Sequence, residues 1–312
     1  MKIGLYSISC SGVWFKDRPP LTVEEFVDTA KKYGYEGVEL DLKRPHGSPL
    51  DLDTKRCKEI AAYVADKGLI MSGAAANNNF ASIVDEELEN ELLFVREQLR
   101  VCKDLGAPVL RVFAAWNGIV RVDGIATYER TRNRESYGAL SWQKRRNVAA
   151  CLKEAVKYAE DAGVVLALQN HQPVINEYQD MLSFIRQVDS PWLKASFDAP
   201  CCGRTAKVQS DAYMEKAVRD VGDLQVISHA NAEFEQNADG SVSLIHFGSV
   251  EDALTNYPVF IKTLKAIGYN GFLNFEFCHM PERDGKIMGY NDYIEDQIRL
   301  ARIYFQNLVD SN

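Results

Sequence analysis

Eight short apolar runs alternate with longer segments of helical periodicity along the whole chain. The runs are KIGLYSI (2–8), GVELD (37–41), LIMSGAAA (69–76), PVLRVFAA (108–115), VVLALQN (164–170), LKASFDA (193–199), LQVISHA (224–230) and GFLNFEF (271–277). Each has the length of a strand. Segments between them, such as 23–34, 87–106, 142–163 and 257–268, repeat apolar residues at helical spacing. Gly34, Gly68, Gly106, Gly163 and Gly268 stand just before the next run. A glycine there accepts the left-handed conformation that closes a helix. Helix, glycine and strand recurring at intervals near 30–45 residues predict βα repeats.

Eight such units favour a closed (β/α)8 barrel, an α/β fold, over an open doubly wound sheet. No linker or shift of composition breaks the series, so one domain spans 1–312. The first turn after a strand lacks GxGxxG, which removes the main support for a dinucleotide fold. The segments 116–140, 231–252 and 278–289 follow the fourth, seventh and eighth runs and read as loops. All three fall on the C-terminal face of a barrel, where they would roof a pocket.

Polar residues end four consecutive runs: Gln169 in VVLALQNHQ, Asp198 in LKASFDAP, His229 in LQVISHANAE and Glu276 in GFLNFEFCH. They are 29, 31 and 47 residues apart and meet only if their strands lie side by side. Two carboxylates, an imidazole and an amide oxygen suit Mn²⁺, Co²⁺, Zn²⁺ or Mg²⁺ alike. Mixed nitrogen and oxygen donors with open positions fit a catalytic ion better than a structural one. Taken singly, each has a plainer reading: Asp198 as a helix cap, His229 as a satisfied core histidine, Gln169 as a strand-end amide. Glu276 inside FLNFEFC is harder to dismiss, since a buried carboxylate demands a cation or positive partner.

Further candidates surround this set. His171, two residues past Gln169, is the first choice for a catalytic acid or base, or else a packing histidine. Glu276 is the alternative base, and Glu233 could meet a sugar hydroxyl or assist a leaving group. His46 in LysArgProHisGly could reach over the pocket mouth, or belong simply to its loop. Trp116 could wall the pocket against a ring, or sit in the core. Lys43 and Arg44 could bind an acidic group of the substrate.

Of 312 residues, 46% are hydrophobic and 26% charged, as in a globular protein with a sizeable core. The net charge of −8 argues against a nucleic-acid surface. The densest basic run, 128–146, carries Arg130, Arg132, Arg134, Lys144, Arg145 and Arg146, mixed with glutamates, and reads as a solvated loop and helix start. The seven cysteines form no CxxC pair and sit mostly in apolar patterns, which suits a reducing cytosol. The chain opens directly into a strand with no signal-like segment, and no run has the length of a membrane span. A cytoplasmic enzyme is the expectation.

With KIGLYSIS, GYEGVELD and the Asp, His and Glu ending runs six to eight, the chain resembles the xylose-isomerase-like barrel superfamily of sugar isomerases and epimerases. The resemblance implies one Mn²⁺ or similar ion held by Asp198, His229, Glu276 and the residue at 169. In that family position 169 is normally Glu and serves, with the Glu at 276, as one of two facing proton-transfer groups; an amide cannot take a proton. Where related epimerases place a substrate-binding His, this chain has Cys201, which the resemblance therefore makes a substrate contact. The segments VELDLKRPHG, RVFAAW, LQNHQPVI and DLQVISH are similar to those of C-glycoside deglycosidase catalytic subunits. That narrower resemblance implies cleavage of 3-oxo-glycosides by elimination, a small accessory subunit and an oligomeric assembly. Keto-sugar isomerisation or epimerisation and inosose-type dehydration are the alternatives. Apurinic-site DNA cleavage fits poorly with the acidic charge and only five histidines.

Overall fold

In the computed structural model, which describes residues 1–127, 141–246 and 252–311, all eight apolar runs form strands. They are β1 (Lys2–Tyr6), β2 (Gly37–Asp41), β3 (Ile70–Ala75), β4 (Val109–Val112), β5 (Val165–Gln169), β6 (Leu193–Ser196), β7 (Gln225–Ala230) and β8 (Phe272–Phe275). Every strand pairs in parallel with its neighbours in sequence, and β8 closes the ring against β1, with Lys2 opposite Phe272 and Leu5 opposite Phe275. Among the described residues eight α-helices follow the strands: α1 (Val23–Lys32), α2 (Thr54–Asp66), α3 (Asp85–Leu105), α4 (Ser141–Ala162), α5 (Tyr178–Val188), α6 (Asp211–Val221), α7 (Tyr257–Ala266) and α8 (Glu295–Ser311). The result is a single-domain (β/α)8 barrel.

Local signals agree with the closed ring. Thr22 and Glu25 form a reciprocal capping box at the start of α1, satisfying two backbone N–H groups that the helix leaves open. Gly106 ends α3 at φ 70°, a conformation that any side chain would strain.

Side chains alternate along a strand, so residues two apart share a face. Val109, Ala167 and Ile227 pack together inside the lower bore. Two positions further along the same three strands stand Arg111, Gln169 and His229, all buried. The bore thus changes from apolar to polar within one pleat. Two glycines make room for this filling. A Cβ on Gly73 would lie 2.8 Å from Ile227 Cδ1, and one on Gly4 would lie 1.9 Å from Asn274 Oδ1.

Parts of the three segments read as loops form β-hairpins. Val120–Val122 pairs with Ile125–Thr127, Glu233–Gln236 with Val242–Ile245, and Glu282–Arg283 with Lys286–Ile287. Each chain reversal contains Asp-Gly: Asp123-Gly124, Asp239-Gly240 and Asp284-Gly285. That dipeptide favours the positive-φ turns that hairpins need, and Asp123 and Asp284 adopt φ 51°. The remainder of these segments at 128–140 and 247–251 lies outside the described residues, as does most of the basic run. Its last three cations fall at the start of α4, where Arg145 pairs with Asp180 at 2.8 Å. Among the described residues no helix is long and apolar enough to cross a membrane.

Candidate active site

Gln169, Asp198 and His229 meet at the C-terminal ends of β5, β6 and β7. Asp198 precedes a short 3-10 turn but its side chain makes no capping bond. Instead Oδ1 accepts the His229 backbone N–H at 2.7 Å, and Oδ2 lies 3.0 Å from His229 Nδ1. The Gln169 amide nitrogen donates to the same Oδ2 and lies 3.5 Å from His229 Nδ1. Asn170 fixes this corner from behind, accepting the Asp198 N–H at 2.8 Å and donating to the Asp198 carbonyl at 3.1 Å.

On its far side His229 Nε2 lies 2.8 Å from Glu39 Oε2, on β2. Glu39 also accepts from Asn274 Nδ2 at 2.6 Å, and Asn274 Nδ2 reaches Ser72 Oγ at 3.1 Å. Burial by itself would lower the His229 pKa; Glu39 and Asp198 outweigh it and raise it well above the ordinary value. Each carboxylate thus favours a proton on the ring nitrogen it faces.

This is also the arrangement a metal-binding histidine needs. Such a ring presents one nitrogen to the ion while the other N–H is held by a carboxylate. Here Glu39 is that carboxylate, and the proton on Nδ1 stands where an ion would. Gln169 Oε1 is buried without a partner. A half-turn of the amide would bring that oxygen to the side of Asp198 and His229. The chemistry of the donor set fits a divalent cation. Among the described residues, however, no three His, Cys, Asp or Glu side chains are already gathered around one point. Position 169 is an amide, and Glu276 forms no hydrogen bond with the other three.

Two connected chambers open above this set. The larger, about 890 Å³, is walled by Trp116, His171, Cys201, Asn231, Glu276 and His279, among others. The smaller, about 50 Å³, is reached by Lys43, Arg111, Trp116, Gln169, His171 and Glu276. His171, Trp116 and Glu276 line both. His171 Nδ1 is bonded to the Gln172 carbonyl, which makes it the N–H and leaves Nε2 as the acceptor. Burial pushes its pKa down to about 4, so the ring is neutral. It packs edge-on against Phe113 and Trp116, with ring centres 5.0 and 5.4 Å away. Burial pushes the Glu276 carboxyl up, while His229 and then Arg111 pull it down.

Two candidates lie elsewhere. His46 is buried beside Phe26, and its Nε2 bonds the Leu21 carbonyl at 2.9 Å. The 43–52 loop folds onto the segment before α1, so this side chain serves packing and lines neither chamber. Glu233 is fully buried behind His279: it accepts from His279 Nε2 at 2.7 Å and bonds Tyr293 and Arg283. These partners lie inside the protein, and Glu233 lines neither chamber. Lys43, Trp116 and Cys201 do face the chambers.

Sequence reasoning passed over Arg111 and His279. Arg111 carried a signal, being the lone charge within a buried run, PVLRVFAA. His279 carried little, since a single histidine in a loop segment has no strand or helix spacing to place it.

Among curated proteins none matches this chain by sequence. Solved structures match over nearly all of it. L-ribulose 3-epimerase shares 18% identity at a TM-score of 0.69, covering 99% of this chain and 95% of that one. The 3-keto-D-glucoside 4-epimerase YcjR from E. coli shares 18% identity at 0.65, covering 99% and 98%. The IOLI protein with a bound zinc atom shares 16% at 0.68, covering 100% and 99%. At these identities the likeness is one of fold. The family model for the xylose isomerase-like TIM barrel matches residues 27–303. The chain belongs to the xylose isomerase-like TIM barrel family.

Proposed function

We propose that the protein is a divalent-metal-dependent enzyme acting on a keto sugar through an enolate, with elimination of an aglycone from a 3-oxo-glycoside as its reaction. The observation that carries this reading is the convergence of Gln169, Asp198 and His229 beside His171 and Glu276, which line one cavity. Gln169, Asp198, His229 and Glu276 would hold the ion, Mn²⁺ being the first choice. A cation there would polarise the keto oxygen and lower the acidity barrier of the adjacent C–H.

His171 would take the C2 proton on Nε2, with the Gln172 carbonyl holding its tautomer. The C1–aglycone bond then breaks, and the aglycone leaves with the electron pair and takes up a proton. The imidazolium so formed at His171, which lines both chambers, would supply it. Trp116 would provide a flat apolar wall, and Cys201 a contact on the larger chamber. That chamber, about 890 Å³, is roomy for a lone monosaccharide and suits a glycoside.

A single histidine base beside an amide at 169 supports one-sided elimination over exchange between two carboxylates. The epimerase structures of similar fold favour the second reading, isomerisation or epimerisation of a free keto sugar. The deglycosidase reading also brings a small accessory subunit and an oligomer; the free state of all seven cysteines suits a cytoplasmic setting. A 3-oxo-glucoside incubated with Mn²⁺-loaded enzyme should release aglycone, and EDTA should abolish the release. Full turnover by metal-free protein would overturn the metal reading. A new epimer carrying solvent deuterium, with no aglycone released, would select epimerisation.

A further inference from the structure

Arg111 is 3% exposed and projects from β4 into the polar layer of the bore. Its hydrogen bonds are to neutral groups: Nη1 to the Ala76 carbonyl at 2.8 Å and Nη2 to the Tyr6 hydroxyl at 3.1 Å. Nε is buried with no partner. The guanidinium lies 4.1 Å from the centre of the Phe113 ring. Among the described residues no carboxylate forms an ion pair with it. Glu39, Glu276 and Asp41 act on it only at longer range. A guanidinium taken out of water without a bonded counter-ion is expensive to keep. The bonds to Ala76 and Tyr6 could be made by a neutral donor.

The chamber that Arg111 lines contains a second cation, Lys43, and the amide Asn77. Lys43 Nζ lies 3.2 Å from Asn77 Oδ1 and 3.4 Å from Asp41 Oδ2. Of the neighbouring carboxylates, three are engaged. Glu39 is bonded by His229 and Asn274, Asp198 by His229 and Gln169, and Asp41 by Asn77. Glu276, hydrogen-bonded with Cys278, also lines the chamber. The space, about 50 Å³, is too small for a sugar ring but admits one planar substituent of three heavy atoms.

We propose that Arg111 and Lys43 form a carboxylate subsite, and that the substrate is a sugar acid whose carboxylate enters the small chamber while its ring occupies the large one. The sugar part of this ligand rests on the keto-sugar reading; the carboxylate part stands on Arg111 and Lys43. An incoming carboxylate supplies the counter-charge that Arg111 lacks, and an arginine binds that group through charge-assisted bonds. Trp116 lies at the junction of the two chambers and orients the ligand between them.

The test compares binding of D-fructuronate and D-fructose, which differ by a carboxylate in place of a hydroxymethyl group. Calorimetric titration of the full chain at neutral pH should show fructuronate binding at least about tenfold tighter, as one charge-assisted contact supplies. In Arg111→Met and in Lys43→Met the difference between the two ligands should shrink. Should Arg111→Met fail to fold, as judged by circular dichroism, Lys43→Met decides, because its side chain is partly exposed. Equal affinities in the wild type, no measurable fructuronate binding, or a preference surviving in both variants would overturn the subsite. Hydrogen exchange of fructose in D₂O separates the two claims. Exchange without preference for the acid leaves the keto-sugar reading standing and removes the subsite; preference without exchange does the reverse.

Discussion

Glu39 on β2 and His229 on β7 meet across the bore, with Oε2 2.8 Å from Nε2. Their strands are not neighbours, so this bond ties opposite sides of the ring. It also fixes which nitrogen of His229 faces Asp198. Glu39→Gln keeps the shape but loses the charge that holds the Nε2 proton. The expected outcome is Mn²⁺ affinity lower by about 10- to 100-fold, with the circular dichroism spectrum unchanged. Unaltered affinity by calorimetric titration would show that Glu39 only fills space.

Gln169→Glu restores a carboxylate beside Asp198 and His229. An added negative donor strengthens binding of a hard cation, so Mn²⁺ affinity should rise by about tenfold or more. The same change places a second negative charge against Asp198 in the metal-free protein. The metal-free variant should therefore melt at a lower temperature than the wild type, and the loaded variant should recover. A variant that binds Mn²⁺ no better than the wild type would remove residue 169 from the ligand set.

His171→Ala should lower turnover by about 10²- to 10⁴-fold, the usual contribution of a positioned base. Metal content should be unchanged, because the ring lies against Phe113 and Trp116 and not against Asp198. Loss of the ion along with activity would place His171 among the ligands instead.

Acid should destabilise the fold before the carboxylates titrate. Burial lowers the pKa of His46, and lowers that of His171 to about 4 and of His279 to about 3. The unfolded chain binds these protons near pH 6.5 and the folded chain does not. Stability therefore falls as pH drops below about 6.5, and the loss from each ring stops once its folded pKa is passed. In His46→Gln the slope just below pH 6.5 should be shallower in urea denaturation. An unchanged slope would mean that His46 becomes protonated without unfolding.

Gly4→Ala should be costly. The new methyl would lie 1.9 Å from Asn274 Oδ1, and Asn274 cannot swing away without releasing Glu39 and Ser72. A loss of about 1–3 kcal/mol is expected from overpacking, read by thermal melting. A variant as stable as the wild type would show that the Asn274 network yields freely.

The barrel was legible because burial forces near-continuous apolar runs and because helices close at glycine, both local signals. The convergence of Gln169, Asp198 and His229 was legible for the same reason, since consecutive strands of such a barrel lie side by side. The hairpins at Asp123-Gly124, Asp239-Gly240 and Asp284-Gly285 were equally readable from their turns, but their strands are too short to show alternation. The places of His46 and Glu233 outside both chambers were not legible, because sequence position locates the end of a strand and not the course of the loop beyond it. Glu39, Arg111 and His279 depend on contacts across the bore or between loops, over separations that no periodicity encodes.

The ring closes in sequence order, and this divides the site between two halves of the chain. Gln169, Asp198, His229 and Glu276 come from the second four staves; Tyr6, Glu39, Lys43 and Arg111 come from the first four. The half that carries the proposed ligands thus leaves the ribosome last and finds its electrostatic complement already made. Neither half alone contains a histidine held between two carboxylates, and a fragment of four staves would offer an ion only a lopsided set of donors. Occupancy of the proposed centre would for that reason report ring closure, as informative about assembly as about chemistry.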